Sequence, residues 1–118
     1  MYKFYNNNAL GLFKNDCSIR AITTATGNSW DDTYEHLSNI AQLQGTMMDD
    51  KYFIRQYLDE RYERIKDIPY TVGEVAGTYP DNILIISMNG HLTCSKFGMI
   101  LDSFDCRNRI AEYCWKVK

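Results

Sequence analysis

This sequence has no strong excess of one charge, no apolar run long enough for a bilayer and no closely paired cysteines, and each absence removes a class of function. The net charge of -2 gives no general attraction to nucleic acid or to an anionic membrane. The longest apolar run, Ile83 to Ile86, is far too short to span a bilayer. Met1 to Asn8 reads Met-Tyr-Lys-Phe-Tyr-Asn-Asn-Asn and lacks the apolar centre of a signal peptide, so the expected location is cytoplasmic. Repeats, low-complexity tracts and linker-like stretches are also missing, and residues 1–118 are expected to form one domain. A chain of this size buries roughly 60 to 70% of the surface its unfolded form exposes, enough for a core without staples. The four cysteines, Cys17, Cys94, Cys106 and Cys114, are expected to be free thiols in a reducing compartment. None forms a C-x-x-C pair, so a zinc knuckle is not expected.

What remains is an ordinary globular composition, 45% hydrophobic and 24% charged, with nine Tyr, five Phe and two Trp. Those aromatics read as core and sheet packing rather than a stacking platform for bases. The first fourteen residues read as an extended arm with a turn at Asn6-Asn7-Asn8. A helix follows from Cys17, with Asn15 or Asp16 as cap, Ile19 and Ile22 on one face, and Gly27 closing it. Ser29 caps a second helix carrying Trp30, Tyr34, Leu37, Ile40 and Ala41 at helical spacing, up to Gly45. A third begins near Asp49 or Asp50 and fades around Arg61. Thr71 and Glu74 form a capping box for a short fourth helix.

The last third changes character. Asn82 to Met88 is a buried-strand pattern, and Asn89-Gly90 is a strong turn signal. His91 to Cys94, Met99 to Asp102 and Ala111 to Val117 are further strand candidates. Helices first and strands later predict an α+β fold with a mainly antiparallel sheet.

Three of these residues carry candidate chemistry. Cys17 sits at a helix start, where free N–H groups and the dipole favour a thiolate. His91 opens a strand after the Asn-Gly turn and can serve as base; His36, mid-helix among polar neighbours, reads as solvated. A four-residue turn at Ser95–Gly98 would pair Cys94 with Met99 and His91 with Asp102, close enough for the carboxylate to orient the imidazole. A one-residue slip would oppose His91 to Ser103 instead, and Asp105 is the alternative orienter. Oxyanion donors are expected from the Cys17 backbone N–H and the side chain of Asn15. Arg20, one turn after Cys17, reads as an ion-pair residue, and Asn6, Asn7 and Asn8 as turn chemistry.

The stretches Asn15-Asp16-Cys17-Ser18-Ile19-Arg20-Ala21, Gly90-His91-Leu92-Thr93 and Gly98 to Cys106 resemble the papain-like cysteine peptidase superfamily, in particular small single-domain members from bacteria and their phages. The resemblance implies a central helix starting at the Cys, packed on a C-terminal antiparallel sheet bearing His and then Asp. It implies Cys17 as nucleophile, His91 as general base and acid, and Asp102 as orienter, acting on a peptide, isopeptide or amide bond with no cofactor and no metal. The implied partner is a peptide or protein substrate; for a phage-encoded chain it would be a host protein met in the host cytoplasm. Many such enzymes carry a Gln several residues before the Cys; Leu10-Gly11-Leu12-Phe13-Lys14 has none. That departure keeps a second reading open, a catalytically silent module that binds a host protein or small metabolite. A third is a metal site from His91, Asp102 and one or more of Cys17, Cys94 and Cys106, although their spacing fits no familiar ligand pattern.

Overall fold

Four consecutive apolar residues in a strand mean that both of its faces are covered, and Ile83–Met88 (β3) is built that way. In the computed structural model, which describes residues 1–118, this strand lies inside a six-stranded sheet. Ile83 and Ile85 join one core cluster, and Leu84, Ile86 and Met88 join another on the opposite face. The neighbours of β3 are His91–Lys96 (β4) and Tyr113–Lys116 (β6), both antiparallel to it. Beyond β4 lies Met99–Asp102 (β5), antiparallel, and then Tyr2–Phe4 (β1), parallel to β5. Beyond β6 lies Glu63–Ile65 (β2), antiparallel. The sheet is therefore mixed: the N-terminal arm adds a parallel edge strand, held where the Ile100 N–H donates to the Met1 carbonyl and the Tyr5 N–H to that of Asp102.

Three of the four helices start with a side-chain cap of the type that local chemistry predicts. Trp30–Gln44 (α2) has Ser29 accepting from the Asp32 N–H, and Lys51–Arg61 (α3) has Asp50 accepting from Tyr52 and Phe53. Val72–Thr78 (α4) begins with the complete Thr71/Glu74 capping box. Cys17–Thr26 (α1) ends at Gly27, whose φ of 79° is the left-handed closure that glycine adopts freely. Helices α1, α2 and α3 pack through Ile22, Leu37, Phe53 and Leu58 against Ile85, Leu92, Cys94 and Trp115. Helix α4 covers the other face through Val72, Val75 and Ala76. Trp115 is fully buried with its indole N–H on Asp59, 2.8 Å away, which makes it core.

The β4–β5 register differs from the four-residue turn expected from the sequence. Phe97 and Gly98 alone make the turn, with φ of 52° and 82°, so Lys96 pairs with Met99 and Cys94 with Leu101. A two-residue turn with both positions left-handed matches the twist of the strands it joins. The register has moved by two residues, and an even shift keeps each side chain on its original face. Continued one pair further, it sets Thr93 opposite Asp102, with His91 on the diagonal.

Candidate active site

Cys17 is the first residue of α1, and no side chain caps that helix. Asp16 stands at the cap position, but its carboxylate is engaged elsewhere. It accepts from Asn8 Nδ2 at 3.0 Å, Arg20 Nε at 2.8 Å and Trp30 Nε1 at 2.9 Å. The first N–H groups of α1 thus stay free of side-chain acceptors, beside the sulfur. The half-buried Cys17 thiol lies close enough to the His91 imidazole and the Leu92 backbone N–H for both to favour its thiolate. Strand β4 therefore supplies both the imidazole and the N–H.

The other end of the imidazole is tightly held. His91 Nε2 lies 2.6 Å from Asp102 Oδ2, so Nδ1 is the nitrogen left for Cys17. The Thr93 hydroxyl donates to the same carboxylate oxygen at 2.6 Å. Asp102 Oδ1 accepts from the Ser103 backbone N–H at 2.7 Å and from Arg20 at 3.0 Å. Phe104, from the segment after β5, packs its ring 4.7 Å from that of His91. The result is a chain of contacts from Asn8 through Asp16, Arg20, Asp102 and His91 to Cys17.

Charge follows from this geometry. Burial acts to raise the Cys17 pKa, but the hydrogen bond and charge of His91, the Leu92 N–H and Arg20 outweigh it and bring the thiol below its ordinary value. Burial acts to lower the His91 pKa, and hydrogen bonds to Asp102 and Cys17 instead push it up to about 9. Asp102 is desolvated, yet His91 and Thr93 bring it down to about 2. The site thus favours a thiolate–imidazolium pair next to an ionised carboxylate.

The sulfur and the imidazole open into a cavity of about 980 Å³. Its apolar wall includes Leu10 and Leu12 of the arm, Trp30 and Tyr34 of α2, Met48 and Trp115. Trp30 and Tyr34 stack at 5.3 Å. Asn15 is exposed and lines the cavity beside Cys17, where its amide can serve as a second oxyanion donor.

The sequence candidates separate cleanly. Cys17, His91 and Asp102 are brought together; His36 is exposed on α2. Asp105 is exposed and ion-paired with Arg107 at 2.8 Å instead. Asp16 holds the cap position without a side-chain cap bond and is a buried hub instead, joining the arm, α1 and α2. Thr93 could have been found by placing it opposite Asp102. Of the thiols considered as metal ligands, Cys94 is buried in the α1-side core, while Cys106 lies with His91 and Asp102 in a group whose ligand atoms fall within 4.8 Å of one another. The Arg20 guanidinium on Asp102 opposes a cation there. No known protein family, curated protein or solved structure matches the chain.

Proposed function

We propose that the protein is a cysteine hydrolase of papain-like type, cleaving a peptide, isopeptide or amide bond. The observation that carries this reading is the position of His91, 2.6 Å from Asp102 and lining one large cavity together with Cys17 at the start of α1. The Cys17 thiolate attacks the substrate carbonyl carbon, and the developing oxyanion is met by the Cys17 N–H and the Asn15 amide. The tetrahedral intermediate collapses, the C–N bond breaks, and the imidazolium of His91 gives its proton to the leaving amine. His91 then takes a proton from water, whose oxygen attacks the thioester carbonyl; the C–S bond breaks, the carboxylic acid leaves and the thiolate–imidazolium pair is restored. Asp102 stays ionised throughout and holds the ring.

A generic acyl donor tests the reading without a known substrate. With p-nitrophenyl acetate, wild-type protein is expected to gain one acetyl group that hydroxylamine removes, while Cys17→Ala gains none. Equal acetylation of both would contradict the assignment. One observation favours a binding module instead: none of the chain's glutamines lines the cavity. Under that reading the acetyl group would form on Cys17 and then never be released by water.

A further inference from the structure

Resting on the hydrolase reading, we propose that the cavity contains a carboxylate-binding subsite whose receptor is Arg55, so that the substrate is an acidic one. Most charged side chains lining the cavity are exposed: Lys14, Asp31, Asp49, Lys51 and Glu112. Water screens such groups, and they say little about a ligand. Asp16 is buried but fully engaged, and His91 belongs to the triad. Arg55 alone is charged, half-buried and without an ion pair.

Its position is fixed from behind. The guanidinium lies 4.4 Å from the centre of the Tyr113 ring and 5.8 Å from that of Tyr52. Arg64 stacks on the same Tyr113 ring at 5.0 Å, and the two arginines differ in one respect. Arg64 has a carboxylate, Asp59, at 3.5 Å; Arg55 has none. Two cations on one ring repel, and a half-buried guanidinium without a counter-ion is poorly solvated. Its planar fork suits a carboxylate in two-point contact. A ligand carboxylate at Arg55 would supply for the second cation what Asp59 supplies for the first. That carboxylate can belong to an acidic side chain on the acyl side of the scissile bond or to a free chain terminus on the leaving side.

The test has two arms. In the first, acetyl-Xaa-Ala chloromethyl ketones with Xaa as Glu, Gln or Lys label Cys17, and rates are read by intact mass. In the second, short alanine peptides with a free or an amidated C-terminus protect Cys17 from iodoacetamide. The proposal expects the anionic member to be favoured roughly ten- to hundredfold in one arm, which identifies the source of the carboxylate. Arg55→Gln is expected to abolish the preference, Arg55→Lys to retain part of it, and Lys14→Gln to leave it unchanged. Equal rates in both arms with wild-type protein overturn the subsite, whatever the variants do. A preference that survives in folded Arg55→Gln overturns its assignment to Arg55. Failure of every chloromethyl ketone to label Cys17 contradicts the hydrolase reading itself and takes this proposal with it.

Discussion

Arg20 lies 3.0 Å from Asp102, a residue 82 positions away in the sequence, and through it the helix that begins at Cys17 is fastened to the strand that ends at Asp102. The same guanidinium holds the buried Asp16 at 2.8 Å. One side chain therefore neutralises two buried acids and sets the distance between α1 and β5.

Replacing Arg20 with Met should leave Asp16 buried without a counter-charge and Asp102 with His91 as its one cationic partner. Breaking such a pair costs about 3 kcal/mol or more, read as a lower midpoint in urea. Arg20→Lys should recover part of that loss, since an ammonium cannot present two parallel donors to two carboxylates. A purely structural Arg20 would change only stability. A positioning role also shifts the pH at which Cys17 becomes reactive, measured by iodoacetamide labelling of the folded variant.

His91→Gln removes the two strongest influences that lower the Cys17 pKa and leaves burial, which raises it. The thiol should then titrate higher than in the wild type, and labelling at neutral pH should slow by roughly a hundredfold, a loss typical of a missing general base. Labelling that stays fast would show that the helix start alone activates the sulfur.

Stability against pH carries a signature of Asp102. Its folded value of about 2 lies below the ordinary 3.8, so its contribution is present above pH 3.8 and is lost as pH falls through about 2. Asp102→Asn should flatten that acid limb in thermal melting. At the alkaline side two shifts oppose each other. His91 is raised from 6.5 to about 9, so its contribution is full below pH 6.5 and disappears as pH rises through 9; Cys17 is lowered, so its contribution grows with pH. Removing the second with Cys17→Ala should make stability fall more steeply above pH 6.5 than in the wild type.

A control lies on the far face. Thr71→Ala breaks the α4 capping box and should cost about 1 kcal/mol, with no change in Cys17 labelling rate. A change in that rate would mean that α4 and the site are coupled.

The sequence made local features legible and hid relational ones. Ser29, Thr71 with Glu74, and the glycines after α1 and α2 act within one helical turn, so their residue types suffice. Cys17 at a helix start was readable for the same reason. His91 and Asp102 come together in a register two residues away from the one that a four-residue turn predicts. A bulky Phe97 in a left-handed turn has no composition signal, and only the even shift kept the two residues on one face. Asp102 is held by Thr93, Arg20 and the Ser103 N–H, three partners from three places, which residue type alone does not show. β1 and β2 are three-residue edge strands, too short for alternation to show. Asp16 looked like a cap because capping is local, whereas its actual partners lie on the arm, α1 and α2.

The most direct test of an activated sulfur is competition among the four thiols at neutral pH. Burial pushes Cys94 and Cys114 up to about 12 and Cys106 to about 11, while Cys17 alone lies below the ordinary value and opens to the cavity. Limiting iodoacetamide followed by peptide mapping should give one adduct, at Cys17, formed faster than on glutathione in the same tube. An adduct on another cysteine first, or a Cys17 rate no higher than that of glutathione, would contradict the account.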